Sequence, residues 1–276
     1  MASLVLVAAT LIGARRFGVR SVALPACVPM LLSFSGVFHW AMGLAPAPLI
    51  GWLAAVQVER GRGYGQTIAF ASLPGLVLGL AQAGGFLAAD GQREQVSSEV
   101  TRFLEGSAAE AQLGDPEMLQ QLVEMVLVLL PGVAYLSILL IAVCGYRLAQ
   151  AACPWAGTTL PPAVPLRHWR MWEELIWVAI GALVLLLIGG ETFRGLAVNA
   201  ALVMMLLYAA QGLGLVRHLL WRLGAQRYLV VLVYALLAFT SSFSVMALAF
   251  SGLADNWFDW RRIGHRRERE SEEVDK

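Results

Sequence analysis

Charge is what this sequence has least of. Only 14% of its 276 residues are Asp, Glu, Lys or Arg, against about 25% in ordinary soluble domains. So little charge cannot clothe a water-facing globule. Lysine is nearly missing: of 20 basic side chains only Lys276 is a lysine, and 19 acids bring the net charge to +1. No basic field extends over the molecule, which sets nucleic acid aside as a partner.

Cysteine is equally sparse. Cys27, Cys144 and Cys153 show no C-x-x-C spacing, and the first two lie inside apolar runs, where a free thiol behaves as a small hydrophobe. No metal-site spacing is present, so neither a metal nor another cofactor is expected. Catalytic signatures are missing too: there is no Walker A loop, no H-E-x-x-H, no G-x-S-x-G and no dinucleotide fingerprint beside a strand. Gly61-Arg62-Gly63-Tyr64-Gly65 is read as a turn between spans. The expectation is a protein that is not an enzyme. The N-terminus lacks the basic region of a secretory leader, since Arg15-Arg16 follow the first apolar run, and it is read as uncleaved.

Apolar sequence fills the space that charge leaves. Hydrophobic residues make up 58% of the chain and mean hydropathy is +0.67. The runs are 2–14, 21–43, 45–58, 67–89, 119–146, 173–190, 195–216 and 228–253. About 20 apolar residues cross a bilayer core, and backbone in lipid must bond to itself, so the runs must be helical. The expectation is an all-α, polytopic transmembrane bundle of six to eight helices. Runs 2–14 and 45–58 are short enough to be half-helices or tilted spans.

One helical domain is expected over 1–262, with a charged, disordered tail at 263–276. The segment 90–118 interrupts the apolar pattern with seven acids and two arginines and reads as an extracytoplasmic insertion. Arginines in the short loops, at 15, 16, 20, 60, 62, 147, 167, 170, 217, 222 and 227, then fall on the cytoplasmic side. The implied location is a bacterial inner membrane, crossed several times. Thr240-Ser241-Ser242-Phe243-Ser244 is a polar break where the last run can bend back, which would keep the basic tail inside.

Polar groups at membrane depth are costly and therefore informative. Gln57, Gln82, Glu124, Asn199 and Gln211 are the ligand-binding candidates, although for each one a bond to a neighbouring helix is the more ordinary role. The tail motif, Gly252 to Arg262, mixes acids, aromatics and arginines where the last span ends. Asp255, Trp257, Asp259 and Arg261 are the partner-docking candidates there. The alternative is an interfacial anchor, in which Trp257 and Trp260 sit at headgroup level.

These residues carry a resemblance. Pro46-Ala47-Pro48-Leu49 with the Arg60–Gly65 loop, Leu122 to Pro131-Gly132 closing near Tyr146-Arg147-Leu148, His168-Trp169-Arg170, Asn199 to Tyr208 and Gln211-Gly212, and the Gly252–Arg261 motif together resemble the YybS-like family of uncharacterised bacterial membrane proteins. That family is in turn similar to the substrate-binding components of energy-coupling-factor vitamin transporters and to the cell-shape protein MreD. The 90–118 insertion and the additional runs depart from a minimal six-helix bundle, so no ligand residues carry over. The resemblance implies a non-catalytic component that captures a substrate with partner subunits, or an envelope scaffold like MreD. The bilayer is the expected partner, a second membrane protein is a possible one, and a small-molecule ligand stays open.

Overall fold

The computed structural model describes residues 1–34, 46–86, 98, 100–102, 116–258, 260 and 261, and every regular element among them is helical. No strand occurs among the described residues. The chain forms two compact units, Met1–Ala163 and Val164–Lys276.

The first unit holds α1 (Ala2–Phe17), α2 (Val19–Phe34), α3 (Pro46–Glu59), α4 (Tyr64–Phe86) and α5 (Pro116–Ala152), followed by a 3-10 turn at Cys153–Ala156. Small residues decide how these helices meet, as is usual where no water drives packing. A Cβ on Gly51 would stand 2.5 Å from the Val7 carbonyl oxygen, and one on Gly145 would stand 2.6 Å from Val7 Cγ1. Glycine at both places lets α1 settle between α3 and α5. Gly75 does the same for α4 and α5, where a Cβ would press on Ile138. Nearby, the Ser72 and Tyr135 hydroxyls hydrogen-bond across these two helices at 3.3 Å.

The turn from α3 into α4 follows from Gly61, whose φ is +71°. Gly61 N–H donates to the Val58 carbonyl and Arg62 N–H to the Gln57 carbonyl, at 3.0 and 3.1 Å. This is the left-handed glycine stop that satisfies a helix's last carbonyls. Gly61→Ala is expected to cost about 1 kcal/mol, because an L side chain is strained at that φ. The neighbouring Gly63→Ala, where an added Cβ meets nothing within 4 Å, should leave thermal unfolding in detergent nearly unchanged.

The second unit holds a 3-10 turn at Leu166–His168, then α6 (Leu175–Ile188), α7 (Gly190–Arg222), α8 (Arg227–Phe239) and α9 (Ser241–Phe258). Gly224, with φ +64°, stops α7 in the same left-handed way. α8 and α9 meet at the polar break expected near Thr240, with a bend of 113° between Arg227–Phe239 and Phe243–Phe258. The Thr240 hydroxyl bonds the Leu236 carbonyl at 2.9 Å and pairs with the Ser244 hydroxyl at 2.6 Å. Side-chain oxygens thus serve the backbone where the helix changes direction.

Two helical stretches among the described residues, Gln120–Ala156 and Phe193–Arg222, are long and apolar enough to cross a membrane, and the bent pair makes a third if it counts as one span. That is fewer than six to eight. The physical reasons are local. Run 173–190 yields only 14 helical residues, roughly 21 Å at 1.5 Å per residue, because Gly189-Gly190 breaks it. The 228–253 run divides at Thr240, and runs 2–14 and 45–58 give helices of 16 and 14 residues. Runs 21–43 and 67–89 end in residues outside the described set, as do most of the 90–118 insertion and the tail beyond 261.

Many large apolar side chains are exposed among the described residues. Only 11% of the most hydrophobic window of Gln120–Ala156 is buried within the protein. Leu187 and Ile188 of α6, Phe239 of α8, and Phe243 and Phe250 of α9 are exposed. Exposed apolar surface on this scale marks a region that meets a membrane or another protein. The two long helices, Gln120–Ala156 and Phe193–Arg222, have the length and the apolar composition of membrane spans.

Candidate functional site

The densest polar construction among the described residues lies in the second unit, where α7 and α9 cross. Backbone touches backbone there. A Cβ on Gly212 would collide with the Leu248 carbonyl oxygen and one on Gly252 with that of Tyr208. A third close approach brings Gly214 against the Leu166 carbonyl, 2.6 Å from where a Cβ would sit. Beneath this crossing Met171, Met204 and Tyr208 form a buried apolar cluster, with Trp169, Leu175 and Leu253 packed on it.

Gln211 stands beside the first of these glycines and is fully buried. Its Oε1 accepts the Met171 N–H at 3.1 Å, while Nε2 donates to the Gly252 carbonyl at 2.9 Å and to Asn256 Oδ1 at 2.8 Å. One amide therefore joins α7, α9 and the segment before α6. Such a side chain can make at most four bonds, two given and two received. Both of its N–H groups are committed within the unit.

Asp255 and Arg261 close the same region. The Arg261 Nε donates to Asp255 Oδ2 at 2.9 Å, Nη2 donates to the same oxygen, and Nη1 donates to the Trp169 carbonyl at 2.9 Å. Both side chains are within 1% of complete burial. Arg170 adds a strap from the other side: its Nη2 donates to the Asn256 carbonyl at 2.7 Å and pairs with Glu173 at 3.1 Å. The end of α9 is thus tied to residues 167–173 by two arginines and a glutamine. Asp255 Oδ1 is buried without a hydrogen-bond partner among the described residues.

Of the tail candidates, Asp255 and Arg261 face inward and bind each other. Trp257 is 65% exposed and lines a cleft of about 280 Å³ with Glu173, Glu174, Ile176, Trp177 and Asn256. Asp259 lies outside the described residues. The ligand candidates are not brought together. Gln57 is buried in α3, with its Oε1 lacking a partner among the described residues. Glu124 is exposed on α5. Asn199 donates to the Gly195 carbonyl of its own helix at 2.7 Å. Gln211 is the one built into the crossing. The Gln82 side chain lies outside the described set.

Sequence reasoning named Arg170 only as a loop arginine and in the His168-Trp169-Arg170 motif, gave Asn256 no role of its own, and did not pair Asp255 with Arg261. That pair spans six residues and passes the end of α9, so no helical spacing announces it. The available signal was the burial of an acid inside an otherwise apolar stretch. Among the described residues no group of three or more His, Cys, Asp or Glu could hold a metal ion.

A family model described as "Predicted membrane protein (DUF2232)" matches residues 1–256. No curated protein and no solved structure matches the chain.

Proposed function

Because the chain belongs to the DUF2232 family of predicted membrane proteins, we propose that it is a non-catalytic, multi-pass protein of a bacterial inner membrane, a scaffold or assembly component that works by holding a membrane partner. In this reading the shorter helices join the long ones in the bilayer and bring the count to six to eight, and the kinship is with YybS-like proteins and MreD. The observation that carries it is the inward commitment of the polar side chains in the second unit. Gln211, Asp255 and Arg261 bond one another's elements, whereas Trp257, Trp177 and Trp260 are turned outward. A rigid clasp that presents aromatic rings suits a docking face, since aromatic anchors dominate interface energetics.

A second reading, substrate capture together with transport subunits, rests on Gln57. Its buried, unpartnered Oε1 is a group that a ligand donor would satisfy, and buried polar atoms are rarely left alone.

Gentle-detergent purification of the full chain followed by mass spectrometry separates the two. The scaffold reading expects a co-eluting membrane protein, lost in Trp257→Ala and retained in Gln57→Leu. Capture expects a vitamin-sized molecule that Gln57→Leu releases. Co-elution that survives Trp257→Ala, with no small molecule, contradicts both assignments. Orientation has its own check: a cysteine at Gln112, in a chain otherwise free of cysteine, is expected to label from outside without permeabilisation.

A further inference from the structure

The first unit gathers arginines at one end. Segments 13–22, 57–66 and 143–163 contain six arginines and a single acid, Glu59. Arg15, Arg62 and Arg147 are each positioned by a contact within the unit. Arg147 lies with its guanidinium carbon 5.7 Å from the centre of the Tyr64 ring. Tyr64 meets Tyr146 edge-on, with ring centres 5.1 Å apart. The Tyr146 hydroxyl donates to the Pro161 carbonyl at 3.0 Å, and Arg15 Nη2 donates to the nearby Thr159 carbonyl at 3.5 Å. Arg15 and Tyr146 therefore hold the same short stretch of chain. Arg62 follows the Gly61 stop directly and rests over the Phe70 ring at 4.3 Å. Stacking of this kind fixes the plane of the Arg62 guanidinium, while Arg147 also hydrogen-bonds the Tyr64 side chain.

A second observation says what kind of anion. On α5, Val133, Leu140 and Leu148 are exposed, and their spacing of seven and eight places them along one side of the helix. The exposed Arg147 stands beside Leu148, where this apolar stripe ends. An apolar track that ends at a cationic group matches an amphiphile whose charged head meets the arginines. Arginine suits a phosphate, which it can grip with two parallel N–H bonds. Basic pockets between membrane helices hold anionic headgroups by this physics.

We propose that Arg15, Arg62 and Arg147, around Tyr64, form a site for the phosphate of an anionic glycerophospholipid whose acyl chain lies along Val133, Leu140 and Leu148 of α5. The site rests on the bilayer reading and goes beyond it: headgroup charge is recognised at a particular place, not over a diffuse basic surface.

Native mass spectrometry of the full chain, exchanged in detergent against equal amounts of phosphatidylglycerol and phosphatidylcholine with matched acyl chains, tests this. The wild type is expected to retain phosphatidylglycerol in preference. Arg15→Gln and Arg147→Gln should each reduce that preference about fivefold, the worth of one basic residue at an anionic surface. Arg147→Lys should lose less, and Arg194→Gln in the second unit nothing. Should Arg147→Gln fail to fold, Arg147→Lys with Arg62→Gln carries the same comparison. Excess inorganic phosphate should leave the lipid in place; displacement would assign the site to free phosphate and overturn the lipid. Equal preference in the wild type and both Gln variants overturns the site. If the wild type retains neither lipid, the bilayer reading fails with it, whereas equal retention of both lipids defeats the site alone.

Discussion

Asp255→Asn is expected to destabilise the second unit by about 3 kcal/mol or more, the usual cost of removing one partner from a buried ion pair. Both side chains of the pair are almost completely enclosed, so solvent screens neither. The substitution keeps the shape of the carboxylate and removes its charge, which leaves the Arg261 guanidinium buried with only neutral acceptors. The Trp169 and Arg167 carbonyls still receive its Nη1, but they do not balance the charge. Thermal unfolding in detergent reads the loss. The double variant Asp255→Leu with Arg261→Met should recover much of it, since replacing both partners removes the unpaired charge. A cycle in which the two single effects simply add would mean that the pair has no coupling, and the clasp would then be mis-assigned.

Gly252→Val is the second large effect expected, of about 3 kcal/mol from overpacking. The added Cβ would meet the Tyr208 carbonyl and the Gly212 backbone, and neither can rotate aside as a side chain could. α7 and α9 must separate, and the Gln211 bonds to Gly252 and Asn256 then break with them. Gly195→Ala on α7 provides the control, because an added Cβ there meets nothing within 4 Å; helix propensity favours that change by up to about 1 kcal/mol. If Gly252→Val and Gly195→Ala unfold alike, close backbone contact is not what holds the crossing.

How much of this was legible beforehand depends on whether the cause is local. The all-helical class followed from run length and the backbone's need to bond to itself in lipid. The turn at Gly61 follows from glycine's tolerance of positive φ, as does the stop at Gly224, which the sequence did not single out, and the polar break at Thr240 falls where the helices bend. The Gln211-Gly212 and Gly252–Arg261 pieces were both visible as unusual sequence. Their meeting was not, because it brings together residues some forty positions apart. In the sequence Asp255 read, with Trp257, Asp259 and Arg261, as a partner-docking residue. The structure gives it Arg261 instead, a partner reached only after the chain has left α9. Polar residues of similar appearance also had different fates: Glu124 is exposed, Asn199 bonds within its own helix and Gln211 joins three elements. Sequence position alone does not separate these cases, because the difference lies in what each side chain meets.

The exposed apolar surface of α5 is expected to face lipid. Spin labels placed singly at Val133 and Leu140 of α5, in the reconstituted chain with Cys27, Cys144 and Cys153 replaced, test that most directly. These positions are 49% and 63% exposed on the protein, so whatever surrounds the molecule must reach them. In a bilayer, dissolved oxygen concentrates in the hydrocarbon and a charge-neutral nickel chelate stays in water. Both labels are expected to relax readily with oxygen and hardly at all with the chelate, while a label at Gly63 in the turn after α3 shows the reverse. Ready access of the chelate to positions 133 and 140 would place α5 in water and contradict the account.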